Sequence, residues 1–285
     1  MKKSVLLILA ILLGAIITQA SVFSYLIYYL LMFMLFFPFL EWEIHTKIFK
    51  ERRIYIVLLL NIIIGLSVYF ILKQYNNDLA IAALLIGIAP TATACPSIIS
   101  YLKGRVDFSV ASVMITNLFM SLFIPIVIYK ISNVAISIST IFFQTLILIL
   151  IPLISGQIIH KKLPRIFNFL IKFKQFGFYT WLVVCFLAVS KASFFIQNSN
   201  VSLKIIILVS LVSGIICLLN FNIGKIFGGE NLSLEMSQSL GQKNTMLAVW
   251  IGLTYFNPLI TLGPIFYLIW HNLYNAYQLA FYKKL

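Results

Sequence analysis

An all-α fold that crosses a membrane many times is predicted by three observations. Long apolar runs follow one another with only short polar breaks, charged residues are confined almost wholly to those breaks, and no stretch is left over for a soluble domain. Of the 285 residues 62% are hydrophobic and 10% charged, whereas a water-soluble domain carries roughly 25% charged residues. Such a surface needs a bilayer as its solvent, and there only helices or closed barrels satisfy their own backbone polar groups. The whole chain, 1–285, is therefore read as one membrane domain.

Ten spans of about 20 apolar residues can be laid along the chain. The first, 4–20, follows Lys2 and Lys3 and ends at Gln19-Ala20. A cleaved leader has the same outline, but about 17 apolar residues are enough to cross, so it is read as a retained helix. The second, 22–41, stops at Glu41; the third, 53–72, lies between Arg52-Arg53 and Lys73. The fourth, 79–102, is interrupted by prolines, and the fifth, 108–129, runs from Asp107 to Lys130. The sixth, 134–159, ends at His160-Lys161-Lys162; the seventh, 176–196, begins after Lys172 and Lys174. The eighth, 204–226, precedes a glycine pair; the ninth, 232–256, has a polar first half; and the tenth, 258–282, closes before Lys283-Lys284.

Cationic residues partition by side. With the N-terminus inside, the inner breaks hold Lys2, Lys3, Lys47, Lys50, Arg52, Arg53, Lys103, Arg105, Lys161, Lys162, Arg165, Lys172, Lys174, Lys225, Lys283 and Lys284, and the outer ones only Lys73, Lys130, Lys191 and Lys204. This excess places both termini in the cytoplasm, in a cell membrane. Five spans per half then make repeat 1 (about 1–130) and repeat 2 (about 131–285) enter from opposite sides, the inverted arrangement of many secondary transporters. The net charge of +14 is a topology signal on this reading, and nucleic acid is excluded as a partner. Cys95, Cys185 and Cys217 lie apart within apolar segments, so neither a disulfide framework nor a metal site is expected.

The fourth and ninth spans, five apart, break the apolar pattern. Pro90-Thr91-Ala92-Thr93-Ala94-Cys95-Pro96-Ser97 removes helix hydrogen bonds at two prolines and opens the backbone within the membrane. Ser237-Gln238-Ser239-Leu240-Gly241-Gln242-Lys243-Asn244-Thr245 is a polar run where lipid tolerates almost none. Either alone could be a kinked helix packed through small residues. In matching positions of two halves they point to crossing broken helices at a substrate site, with Thr93 and Ser97 close to Gln242 and Asn244.

Lys243 is the one charge deep in a span, at a cost of about 2.5–3.5 kcal/mol on insertion scales. It either changes its charge state, stays charged to hold an anion, or snorkels to the interface. His271, in Trp270-His271-Asn272, is a packed histidine or a transport residue, and Asn61 and Asn117 are helix-to-helix hydrogen bonds or site groups. No carboxylate falls at mid-span, since Glu41, Glu43, Glu51, Asp78, Asp107 and Glu230 sit in loops or at span ends and Glu235 in the first turns of the ninth span. An ordinary carboxylate-built sodium or metal site is therefore not expected. Without a metalloprotease, hydrolase or phosphate-loop motif, an enzyme is disfavoured and no cofactor is implied; a channel is the other alternative.

At these segments the chain resembles the bile acid:sodium symporter family, including its bacterial homologues. The residues that carry the resemblance are Pro90 through Gly104, Ser109-Val110-Ala111, Pro125, Leu240-Gly241-Gln242-Lys243-Asn244, Leu247-Ala248, Pro264 and Trp270-His271-Asn272, with Met32-Phe33-Met34 earlier. The resemblance implies a panel of spans 1, 2, 6 and 7, a core of spans 3, 4, 5, 8, 9 and 10, and substrate in the cleft between them. It also marks departures. Cys95-Pro96 stands where the family has a sodium-coordinating Ser-Asn pair and Val113 at a coordinating Thr, while Ser109 matches a family serine. Ser239 replaces a Glu shared by both sodium sites, and Lys243 and Asn61 each replace a Gln. The expectation is a transporter of a small organic anion that lacks the two family sodium sites, proton-coupled or a uniporter, with a sodium symporter of rebuilt ligands as the alternative. The substrate-binding or coupling residues are then drawn from Thr91, Thr93, Pro96, Ser97, Gln242, Lys243, Asn244, Asn61, Asn117 and His271.

Overall fold

The structure, a computed structural model, describes residues 2–42, 50–131, 137–199 and 201–281. Glu43, Lys47, Lys283 and Lys284, assigned above to loops and the inner side, lie outside the described residues. Among those described the chain is helical. Its elements are α1 (Lys2–Ile16), a 3-10 helix (Thr18–Leu26), α2 (Ile27–Glu41), α3 (Arg52–Lys73), α4 (Asn77–Ile88), α5 (Cys95–Tyr101) and α6 (Val106–Ile131). Then follow α7 (Ile138–Lys162), α8 (Pro164–Leu170), a 3-10 turn (Ile171–Phe173), α9 (Gln175–Gln197), α10 (Leu203–Gly241), α11 (Thr245–Tyr255) and α12 (Pro258–Phe281).

Among the described residues six stretches are long and apolar enough to cross a membrane: Thr18–Glu41, Arg52–Lys73, Val106–Ile131, Ile138–Lys162, Gln175–Gln197 and Leu203–Gly241. The expected fourth span is divided between α4 and α5, and the ninth between the end of α10 and α11. The first span differs from expectation: α1 stops at Ile16, and after Ile17 a 3-10 helix, Thr18–Leu26, runs straight into α2. The cause is a hydroxyl outside the helix, because Ser190 Oγ donates to the Ile17 carbonyl at 2.7 Å while Thr18 and Ser21 are buried. The break after α7, read as a cationic loop, folds instead as α8, started by Pro164 in its first turn, where a missing N–H costs nothing.

The chain forms two compact units. One comprises Met1–Glu43, Ser121–Val201 and Val249–Thr261. In it α1 packs on α9, and α2 on α7 and α9. Pro38 lies inside α2, and the carbonyls left over at the end of that helix are met by side chains. Gln157 Nε2 donates to Phe39 O at 2.6 Å and Trp42 O at 2.9 Å, and His160 Nδ1–H donates to Leu40 O at 2.7 Å.

The other unit comprises Ile44–Met120, Ser202–Ala248 and Leu262–Leu285. Its core joins α3, α6 and α10 through Ile54, Val57, Leu60, Phe108, Ala111, Leu232, Met236 and Leu240. A second cluster joins α4, α10 and α12 through Ala83, Ile86, Ile216, Cys217, Phe221 and Tyr267. α10 is interrupted at Gly229, whose φ of 59° and ψ of −153° suit glycine. The break turns the chain back on itself, so that Ser237 Oγ donates to the Phe221 carbonyl at 2.8 Å.

α3 and α4 meet backbone to backbone at two glycines. A Cβ added at Gly87 would lie 2.2 Å from Gly65 Cα, and one added at Gly65 2.9 Å from Ile88 N. Gly87→Ala and Gly65→Ala are each expected to lower the melting temperature, at about 1–3 kcal/mol for overpacking. Gly177→Ala, whose new methyl would meet Phe37 at an ordinary 3.5 Å, should melt at or slightly above the native temperature. Equal losses in all three, by thermal unfolding in detergent, would remove any special role for this contact.

Candidate functional site

The two interruptions meet within the second unit. Pro90 cannot continue α4, and Ala89 before it is pushed to an extended backbone (φ −58°, ψ 133°). Pro96 sits instead in the first turn of α5, where proline is tolerated. One proline thus ends the helix and the other begins the next. On the partner segment, Gln242 closes α10 in an extended conformation (φ −84°, ψ 104°). Asn244 Oδ1 accepts from Leu247 N at 3.3 Å and so caps α11.

The extended residues pair as a single antiparallel bridge between Thr91 and Lys243. Ala92 N donates to Gln242 O and Asn244 N to Pro90 O, both at 2.8 Å. Groups the bridge leaves over are taken up by side chains. Thr91 N donates to Thr116 Oγ1 at 3.0 Å, and the Thr91 carbonyl accepts from Asn117 Nδ2 at 3.0 Å. Thr91 Oγ1 donates to Ser239 O at 2.7 Å, and Tyr267 Oη to Gly241 O at 2.7 Å. Asn244 Nδ2 reaches Asn117 Oδ1 at 3.4 Å.

Lys243 is 1% exposed. Its ammonium donates to Asn61 Oδ1 and to the Gly87 carbonyl at 2.9 Å, in the last turn of α4. There the freed carbonyls and the negative end of the helix dipole favour a cation. Neither acceptor is an acid; both are neutral oxygens. Nearby, the Asn61 amide nitrogen is buried and finds no hydrogen-bond partner among the described residues.

The expected site residues separate into three groups. Thr91, Asn117, Gln242, Lys243, Asn244 and Asn61 converge on the bridge. Pro96 is buried and Thr93 half-buried beside it, whereas Ser97 is exposed one turn into α5, its N–H bonded to Ala94 O; it is outside the buried network, because α5 resumes its helix before reaching it. His271 is buried with its ring edge-on to Tyr267 at 5.7 Å, and Nδ1 has no partner among the described residues; the tyrosine links it to the bridge.

Several contributors were not singled out from the sequence: Thr116, Tyr267, Asn220, which donates to Tyr267 Oη at 3.1 Å, and Asn275, which accepts from Gln238 at 3.2 Å. Gln238 also accepts from Gln242 at 2.8 Å. Helical spacing carried a signal for them. Ser112 and Thr116 stand four apart beside Asn117, and Tyr267, His271 and Asn275 stand four apart along one face of α12.

Fold and site together define a multi-pass helical membrane protein in which two interrupted helices pair at a buried polar junction. A model of the Sodium Bile acid symporter family matches residues 25–199, more than half of the chain, and the chain belongs to that family. The matched region holds Asn61, Pro90 through Ser97 and Asn117; it ends before Ser239, Lys243 and His271. No curated protein matches the chain. It is thus a membrane transporter related to the bile acid:sodium symporters.

Replacing Lys243 by Met is expected to strand the Asn61 and Gly87 oxygens in the interior, each at about 1–3 kcal/mol, and to lower the melting temperature. Pairing it with Asn61→Leu removes one of those stranded acceptors, so Lys243→Met/Asn61→Leu should lose less than the sum of its single variants. Strict additivity in thermal unfolding would mean that the two side chains are not coupled.

Proposed function

We propose that this chain is a ten-span secondary transporter of two inverted five-helix repeats, with both termini cytoplasmic in the cell membrane, that moves a small organic anion without the family's two sodium sites. The observation that carries the reading is the Lys243 ammonium, buried at the end of α4 on Asn61 and Gly87. A fixed cation there meets the acceptors that a bound ion would otherwise meet. The chemistry around it agrees: Val113 and Cys95 are buried without a hard oxygen donor, which leaves Ser109 Oγ, donating to Val106 O at 2.7 Å, as the one hard side-chain oxygen of the three. Sodium needs such oxygens.

Sodium coupling requires an ion that binds on one side of the membrane and leaves on the other. A tethered ammonium cannot leave. Transport then follows the substrate's own gradient, or couples to protons if Lys243 changes its charge state within the cycle. The Thr91–Lys243 bridge is the place where an anion would sense that charge.

Uptake screened over organic acids in proteoliposomes, in sodium against choline, tests this. The expected result is saturable uptake at the same rate in both, with a melting temperature indifferent to sodium. Sodium-driven uptake together with a sodium-dependent rise in melting temperature would establish the alternative, a sodium symporter with rebuilt ligands. If uptake depends on pH, Lys243→Gln should abolish that dependence. The topology is tested by tags: both termini should be cytoplasmic and Lys130 should label from outside, and a C-terminal tag on the outer face would refute ten spans.

A further inference from the structure

At the head of α3 and α6 the second unit carries a cavity of about 640 Å³ that the bridge does not use. Four cations line it, Lys50, Arg52, Arg53 and Arg105, against two carboxylates, Glu51 and Asp107. Asp107 is paired with Arg105 at 3.0 Å; the lining residues carry an excess of two positive charges, which stays positive when the Glu235 carboxylate behind Arg105 is counted. Its walls are built in place. Arg53 Nη1 donates to the Gly228 carbonyl at the turn of α10, Arg105 N donates to Glu235 Oε1 at 2.7 Å, and Phe108 at the base belongs to the α3–α6–α10 core. Both α3, of 22 residues, and α6, of 26, begin here, adding the positive ends of two helix dipoles to the side-chain charge.

We infer that this pocket binds the phosphate headgroup of an anionic membrane lipid. A guanidinium takes a phosphate through paired hydrogen bonds, and basic pockets at the polar ends of membrane spans select anionic headgroups. The lipid, in place of a soluble phosphate, is indicated by what continues from the pocket. Tyr55, Leu59 and Ile63 stand four apart on α3, each about half exposed (48%, 55% and 48%), an apolar track that leads along the span from the headgroup position and suits acyl chains. The pocket also abuts the turn of α10 that returns the chain toward Ser239 and Lys243, so a bound headgroup would brace the same helix that carries the bridge.

The test uses the whole protein purified in neutral detergent and titrated with phosphatidylglycerol, with phosphatidylcholine, and with soluble glycerol 1-phosphate, reading melting temperature and lipid retained in native mass spectrometry. Phosphatidylglycerol should raise the melting temperature and be retained, while the other two do neither. Lys50→Gln/Arg52→Gln removes two of the pocket's cations and should weaken that response about thirtyfold, at about fivefold per charge. Arg165→Gln/Lys172→Gln, an equal loss of charge on and just after α8, should respond as the native protein does. The inference is overturned if the first double variant binds like native, if the second is weakened as much, or if phosphatidylcholine or glycerol 1-phosphate protects as well as phosphatidylglycerol.

Discussion

A peptide group that leaves a helix inside a membrane has no water to turn to, and the second unit is organised around that constraint. An unsatisfied group there costs several kcal/mol, and the breaks at 89–94 and 242–244 free many at once. Ordinary helix kinks re-satisfy one or two carbonyls with a serine or threonine. Here each break supplies part of what the other lacks, since Ala92 and Asn244 donate across to Gln242 and Pro90. The remainder falls to α6, which offers Thr116 and Asn117 to the two backbone groups of Thr91, and to Tyr267 of α12, which closes Gly241. Two segments so coupled define a single junction, and neither break would be tolerable without the other.

Lys243 belongs to the same ledger of unmet groups. The last turn of α4 ends in carbonyls that no N–H follows, and the Gly87 oxygen among them takes the ammonium. Its neighbour Asn61 supplies the second oxygen, from a helix that approaches α4 to glycine–glycine contact. That close approach is what brings Asn61 within range of a lysine side chain already bound to α4. Packing and electrostatics are thus one arrangement: a larger residue at 65 or 87 would separate the two oxygens that hold the charge.

Much of this was legible in the sequence, and what was not has physical reasons. Helices long enough to cross follow from apolar length alone, and two prolines six residues apart announced the break after Ile88. That Lys243 was no ordinary residue followed from the cost of a buried charge. The sequence could not say which groups hold it, because Gly87 and Asn61 are not near it in the chain. Ser97 was expected close to Gln242 and Asn244 because two broken helices that cross must satisfy their freed backbone groups together, but the helix restarts at Cys95, and Ser97 is exposed within the first turn of α5. The 3-10 run after α1 was hidden for a similar reason, since the hydroxyl that takes the Ile17 carbonyl comes from Ser190.

A free ion and a tethered ammonium can satisfy the same carbonyls, but they differ in thermodynamics. An ion stabilises the folded state by RT ln(1 + [L]/Kd), about 2.7 kcal/mol at a hundredfold excess over Kd, and that contribution vanishes when the ion departs. A lysine side chain is always at hand, so the junction is equally braced whatever the medium holds. Its desolvation, about 2.5–3.5 kcal/mol on insertion scales, is met once, on folding, and is offset by its hydrogen bonds to Asn61 and Gly87. The larger difference is for transport, because an ion that cannot leave carries no work from a gradient. A junction built this way keeps its shape through every state of the cycle in which Lys243 stays charged. On the reading proposed above, the motive force comes from the substrate itself or from the one change still open to that side chain, the gain or loss of a proton.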